Sequence, residues 1–467
     1  MNNLGVASII TACVECVLCT GVLFGWPSLQ FSLDDEGYFH NLCIENENLS
    51  SLQNLSSCTA SDESFNLVFT VASSFYEMPV LLFGYILDTF GTLAMRFLAT
   101  SLHSLGYMLL WIMSPSTSVL LYPAMAMISS SGYALWMSNS QLGNLNPSYR
   151  SVFLSISSGM SDLSSIVYLF VKLQHDQGAS SKSIFMVLFV ITVFPWFRSY
   201  FLMPKKTIPY PAMSKHHHFG IVKKLQKTLI VGNDVTENLS ESPKQSLEID
   251  KLTISSTQKG KKTLKQCLMK AIFWSNLYHV VVIKLRLSLF YGSVLKWLSS
   301  FPDIDVGSFT NWFNVVLLCG VFVAPLNGMV ADGLISHFKS RFRAEQTAVL
   351  RAYAVSMFLT STFSVILSVA ALARSVYPAF VFVLLTKSFV YSGSGGFLFV
   401  AFSTEHYGKL LGITSLVISV FSLAQYAIFK LAVSLDPDFY VINIAMLCLT
   451  LTTYVHPIVI FYSSRSS

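Results

Sequence analysis

Charge is what this chain has least of. Only 12 % of its 467 residues are Asp, Glu, Lys or Arg, about half the share of an ordinary soluble domain. So few charges cannot cover a water-facing surface of this size. Glycine and proline, at 24 and 15 residues, are too sparse for a collagen-like or low-complexity chain, and eight cysteines are too few for a disulfide scaffold. Hydrophobic residues reach 53 %, which excludes an intrinsically disordered chain. No phosphate-binding loop and no credible catalytic triad is found, so nothing points to ATP hydrolysis, an enzyme or a cofactor. The net charge of +6 is modest and, as shown below, local, so nucleic acid is not an expected partner. What remains is a polytopic membrane protein.

A membrane helix needs about 20 mostly apolar residues. Twelve such stretches are present, roughly at 6–29, 65–87, 93–113, 119–142, 152–173, 184–203, 272–297, 309–331, 350–373, 376–402, 408–435 and 440–462. The first is too long for a signal-peptide core, lacks a basic start and contains Glu15, so it is read as a span. Most gaps are short. One exception, 30–64, is polar and holds the sequons Asn48 and Asn54 with Cys43 and Cys58. The other, 204–266, is basic: 205–265 carries twelve lysines against five acidic residues, a net +7 that exceeds the charge of the whole chain.

Positive loops stay in the cytoplasm. This assigns 204–266 to that side and, with an even number of spans, both termini as well. Arg96, Arg150, Lys339, Arg341, Arg343 and Lys409 then also fall inside. The 30–64 loop falls outside, where Asn48 and Asn54 are open to glycosylation and a Cys43–Cys58 disulfide is plausible. The sequon at Asn238 lies in the cytoplasmic loop and should stay bare. That loop reads either as a disordered linker or as a surface for anionic lipid heads. Its His216–His218 run suggests metal, but three histidines in a flexible loop more often bind nothing. Cys13, Cys16 and Cys19 lie in an apolar helix without a fourth ligand, so no metal site is expected there either.

The halves repeat a short pattern. Gly84-x-x-x-Asp88 closes the second span, and Gly328-x-x-x-Asp332 closes the eighth, 244 residues later. This layout of six spans, loop and six spans resembles the major facilitator superfamily. Its loop motif continues with Arg, x, Gly and basic residues; here Asp88 is followed by Thr89, Phe90, Gly91 and later Arg96. The resemblance implies an all-α membrane protein of twelve transmembrane helices in two six-helix bundles, 1–203 and 267–467, joined by the 204–266 linker. Gly84 would permit close helix packing, and Asp88 would cap a neighbouring helix or pair with a cytoplasmic Arg.

Longer strings narrow the resemblance. They are Gly21-Val22-Leu23-Phe24-Gly25-Trp26-Pro27-Ser28-Leu29, Gln141-Leu142-Gly143-Asn144-Leu145, Ile208-Pro209-Tyr210-Pro211, Glu405-His406-Tyr407-Gly408-Lys409 and His456-Pro457. Together they are similar to the family-43 solute carriers across nearly the whole chain outside the central loop. That family has a branch of neutral amino-acid uniporters and a branch carrying purine bases without sodium. Trp26-Pro27-Ser28 and the strings at 208 and 405 look like the nucleobase branch. Leu285-Arg286 with Phe290-Tyr291 is similar to the amino-acid branch.

Ionisable residues in a bilayer cost roughly 2.5–3.5 kcal/mol each on insertion scales and usually face a cavity or a partner. Glu15 shares a helical face with Val22 and Trp26, which combines a carboxylate with aromatic surface for a flat purine. Pro27 would end or kink that helix. Asp162 lies among Ser157, Ser158, Ser161, Ser164 and Ser165, as a structural cluster or a substrate contact. Lys172 should snorkel to the outer interface. In span seven Lys284 and Arg286 point to opposite faces; Arg286, on the face of His279, is preferred as the cavity residue. In span ten Lys387 and Tyr391 precede five small residues, 392–396, which would weaken the helix or allow close packing. Asn139 and Gln141 are further amide candidates, and Glu77-Met78-Pro79 reads as a kink with a partnered acid.

The expected activity is facilitative, sodium-independent transport of purine nucleobases across the plasma membrane by alternating access. The substrate would stack on Phe24 or Trp26 and hydrogen-bond to Glu15, Arg286, Tyr391, Lys387 and Asp162. The alternatives are a uniporter of large neutral amino acids, with Arg286 taking the carboxylate; a proton-coupled carrier using Glu15 or Asp162; and a transporter-like scaffold or lipid-handling protein without solute flux.

Overall fold

The computed structural model describes residues 3–44, 59–145, 150–208, 263–340, 345–402, 406–435 and 439–464. Asn48, Asn54, Cys58, His216–His218, Asn238, Arg341 and Arg343 lie outside them. Cys43 is disulfide-bonded.

Each apolar stretch falls on helix. The first half of the chain forms α1a (Ala7–Thr20) and α1b (Val22–Asp35), α2 (Thr59–Phe90), α3 (Thr92–Ile112), α4 (Leu121–Ser140), α5 (Phe153–Asp176) and α6 (Ser181–Phe201). The second half forms α7 (Ala271–Ser299), α8a (Val306–Leu318) and α8b (Gly320–Lys339), α9 (Thr347–Leu372), α10 (Val376–Ala401), α11 (Tyr407–Ser434) and α12 (Tyr440–Ser463). Among the described residues, 9 helices are long and apolar enough to cross a membrane, or up to 10 with the bent α1 pair counted as one. α3 and α4 have the length, at 21 and 20 residues, but Arg96 and His103 in one and a serine run in the other make them more polar.

The most consequential local feature is the break in α1. A π-turn at Cys16–Thr20 gives way at Gly21 to a 3₁₀ turn at Val22–Gly25, and the two halves of α1 bend by 47°. The glycines explain why the break can be packed. A Cβ at Gly21 would collide with the Ser161 carbonyl of α5. A Cβ at Gly132 of α4 would stand 2.8 Å from the carbonyls of Cys19 and Thr20. The broken turn is therefore clamped between two helices, and Thr20 Oγ1 bonds Ser161 Oγ at 2.9 Å. Irregular backbone is tolerated at this depth only when buried in protein. Pro27, expected to end or kink the helix, instead sits in the first turn of α1b, where a missing N–H costs nothing; the bend falls at Gly21. α2 breaks at Met78–Pro79, just after Glu77. Gly91, at φ +86, makes the turn into α3 beneath the Lys205 carbonyl.

The two halves meet where α1b, α2 and α5 pack on α7, α8 and α11. Gly159 lies against Val321 and Gly412 against Leu81, the small-residue contacts that let membrane helices approach. Polar contacts concentrate at the end that carries residues 36–44. Asp62 pairs with Lys296 at 2.7 Å and Glu63 with Lys430 at 3.1 Å. Asn66 Nδ2 donates to the Gly292 carbonyl at 2.9 Å, and Asn314 Nδ2 donates to Ser28 Oγ at 2.7 Å. That end is sealed.

Candidate substrate site

Between the halves lies a cavity lined by Phe24, Tyr76, Glu77, Lys284, Tyr291, Lys387 and Tyr391, with Ser73, Ser288 and Ser422 at its polar margins. Phe24 is its hub. The 3₁₀ turn in α1 points this ring inward, 5.7 Å from Tyr76, 5.6 Å from Tyr291 and 6.3 Å from Tyr391. These separations fit edge-to-face aromatic packing.

Two ion pairs cross from one half to the other beside this ring. Glu77 of α2 holds Lys284 of α7. Asp162 of α5 holds Lys387 of α10 at 2.7 Å, with both side chains under a tenth exposed. Each ammonium also sits over an aromatic face: Lys284 Nζ is 4.0 Å from the Tyr391 centroid, and Lys387 Nζ is 3.4 Å from that of Phe24. Cation–π contact adds to the pairing where water is scarce. Gly320, at the α8a–α8b junction, leaves the space that Asp162 fills; a Cβ there would stand 2.7 Å from the Asp162 Cβ. The buried Tyr291 hydroxyl has no hydrogen-bond partner among the described residues. The cavity is small. The space open to the centre of a water-sized sphere is about 30 Å³, room for about two waters. A planar bicyclic base does not fit in this space.

The structure thus brings together Phe24, Asp162, Lys387 and Tyr391 from the sequence reading, and adds Glu77, Lys284, Tyr76 and Tyr291. It keeps Glu15, Trp26 and Arg286 out. Glu15 is fully buried inside the first half, 2.6 Å from Arg96 and 3.0 Å from Arg198, and accepts from Asn139 Nδ2 at 3.0 Å. The break at Gly21 takes Trp26 off the Glu15 face, so one regular helix was the wrong ruler. Trp26 is fully buried against Phe65 and Phe69. In α7 the opposite-face rule holds, but the faces are exchanged: Lys284, with Tyr291, meets the cavity. Arg286 turns away into the second half and donates to Ser368 Oγ and Asn443 Oδ1.

The loop motif is also rearranged. Asp88 and Asp332 are exposed. Arg96, unlike the exposed Asp88, is fully buried with Glu15, Ser138, Asn139 and Ser199. A Cβ at Gly84 would meet only Met137 Cε at 3.5 Å, and one at Gly328 only Ser155 Oγ at 3.7 Å. Both are ordinary contacts, so neither glycine is required by close packing here. α10 runs unbroken through 392–396, and Gly396 serves close packing, with the Tyr353 ring against its backbone. Lys172 is buried, paired with Asp176 at 2.8 Å and set over the Phe31 ring.

No protein-family model matches the chain. Over 480 residues it is 32 % identical to equilibrative nucleobase transporter 1 of Bos taurus, covering 97 % of this chain and 95 % of that protein. It is 23 % identical over 524 residues to large neutral amino acids transporter small subunit 3 of Mus musculus, covering 97 % and 92 %. The Homo sapiens protein of that name is 24 % identical over 525 residues, covering 97 % and 92 %.

Proposed function

Because the chain belongs to the family-43 solute carriers, we propose that it moves purine nucleobases such as adenine, guanine and hypoxanthine across the plasma membrane by facilitative alternating access. Its two halves, 1–203 and 267–467, act as six-helix bundles that rock about the central cavity, with the termini and the 204–266 linker in the cytoplasm. No ion gradient drives the step.

One observation carries the choice of cargo. The cavity is ringed by Phe24 and three tyrosines, and the acids and ammoniums that it gathers are paired with each other, Glu77 with Lys284 and Asp162 with Lys387. A neutral, flat solute with donors and acceptors at its edge suits such a place. It stacks on Phe24 and borrows hydrogen bonds from Tyr291, Tyr391 and the pairs. Arg286, the group that would take an amino-acid carboxylate, faces elsewhere. The amino-acid reading keeps one support: a zwitterion could split the Asp162–Lys387 pair and bind each half.

Labelled adenine and labelled leucine, offered side by side to cells expressing the chain, separate these readings. Adenine uptake without leucine uptake is expected. Phe24→Ala should weaken adenine binding by about 1–3 kcal/mol, the usual worth of one base–aromatic stack, read as a KM raised roughly 5–150-fold at normal surface level. Leucine uptake alone would replace the cargo, and uptake of neither would favour the scaffold reading.

A further inference from the structure

The central cavity is roofed by amides. Phe69 of α2, Ser288 of α7 and Ser422 of α11 line it. One turn nearer the sealed end, the same three helices carry Asn66, Gly292 and Gln425. α11 tightens between its two residues: the Leu423 N–H donates to the Val420 carbonyl and the Tyr426 N–H to the Leu423 carbonyl, each at 3.3 Å. Side chains three apart eclipse in such a turn, so Gln425 stands over Ser422. The layer is tight. A Cβ at Gly292 would collide with Gln425 Nε2, stand 2.8 Å from Asn66 Nδ2 and 3.1 Å from the Phe69 ring. It also lies well inside the bundle. Asn66 is seven residues past the start of α2 at Thr59, and Gln425 is nine before the end of α11 at Ser434, roughly 10 and 13 Å of helix rise.

The two amides are satisfied unequally. Asn66 Nδ2 donates to the Gly292 carbonyl across the halves at 2.9 Å, and its Oδ1 accepts from Thr70 Oγ1 at 3.4 Å. Gln425 is fully buried, and neither its Oε1 nor its Nε2 has a partner among the described residues. Buried polar groups are nearly always bonded, and one left without a partner costs stability. An apolar side chain of similar size would fill this position at lower cost, so the sealed arrangement alone gives no reason for a glutamine.

Taking the purine reading above as its premise, we infer that Gln425 is a specificity residue whose amide reads the edge of the incoming base as the sealed end parts. A glutamine amide matches adenine with two bonds: Nε2 donates to N7, and Oε1 accepts from the 6-amino group. Guanine and hypoxanthine share N7 but carry a carbonyl oxygen at position 6, so they take only the first bond. Phe69 touches this layer and also lines the cavity, so the base moves from the amide to Phe24 along aromatic surface. The Asn66–Gly292 bond, which joins the halves here, breaks in the same step.

The test uses the purified full-length protein and reads its thermal unfolding midpoint against rising adenine and rising 7-deazaadenine, which lacks N7. A ligand bound only by the folded state raises the midpoint according to its affinity. The unmodified protein should bind adenine roughly 5–150-fold more tightly than 7-deazaadenine, the consequence of leaving a buried donor without its acceptor. In Gln425→Leu the two bases should bind alike, at about the affinity of 7-deazaadenine. Without ligand, that variant should unfold at the same temperature as the unmodified protein or higher, because it loses an unsatisfied amide. Gln425→Met should behave in the same way and is read for the ratio if the leucine variant does not fold. Equal binding of the two bases by the unmodified protein would overturn the inference and leave the purine reading standing. So would an undiminished preference for adenine in the variants, or a lowered midpoint in both, which would make Gln425 a structural residue. No response of the unmodified protein to either base would remove the purine reading and this inference with it.

Discussion

Glu15→Gln should leave little folded protein at the cell surface. Glu15 is fully buried and is held by two guanidiniums, Arg96 at 2.6 Å and Arg198 at 3.0 Å. Both arginines also donate to the same Asn139 Oδ1, at 3.0 and 2.6 Å. The cluster is already one positive charge in excess, which Ser138, Ser199, Thr11 and the Ser8 carbonyl help to solvate. Without the carboxylate, two like charges face each other with only neutral acceptors in a dry interior. Breaking a buried pair in this way costs about 3–5 kcal/mol, a large part of the 5–15 kcal/mol that holds a typical protein folded. Surface biotinylation and size-exclusion profiles of the solubilised protein measure the loss. Adding Arg198→Met to Glu15→Gln removes one of the unpaired charges and should recover part of the yield. A Glu15→Gln protein that reaches the surface normally and shows only a raised KM would return Glu15 to the substrate.

The second large effect concerns Asp162 and Lys387. Either single change, Asp162→Asn or Lys387→Met, leaves one buried charge opposite a neutral group and should reduce surface protein by the same mechanism. The double variant removes both charges together, so folding should largely return. Transport should not: the pair links α5 of the first half to α10 of the second beside Phe24, where the proposed alternating access would have the halves exchange contacts. We expect surface protein near the unmodified level and adenine uptake at least tenfold lower, with a strong coupling between the two sites in a double-mutant cycle. Normal uptake by the double variant would reduce the pair to a structural tie.

How much of this was legible beforehand depends on distance along the chain. The helical stretches were readable, because each is a long apolar run, and so was the facing of Lys284 and Arg286 to opposite sides, because it needs only the helical period. Which side meets the cavity was not readable. It depends on the rotation of α7, set by Asn66, Phe69 and Gln425 against Gly292 from two other helices. Glu15 misled for a different reason. A regular helix was assumed through Gly21, and the Arg198 that holds the carboxylate is 183 positions away. The glycines at 21 and 25 were the available signal, and they act through their close approach to Ser161 and Ser165 of α5. Arg96 shows the same limit. A loop motif suggested a surface arginine, while packing of α3 against α1, α4 and α6 buries it.

The central claim is that a cavity between two like halves passes a neutral purine with no other driving force. Purified protein in liposomes, with identical salt and pH on both sides, tests it directly. The account predicts that labelled adenine equilibrates, that unlabelled adenine preloaded inside accelerates entry, and that leucine does neither. Adenine entry that requires an imposed sodium or proton gradient, or exchange of leucine in its place, would contradict it.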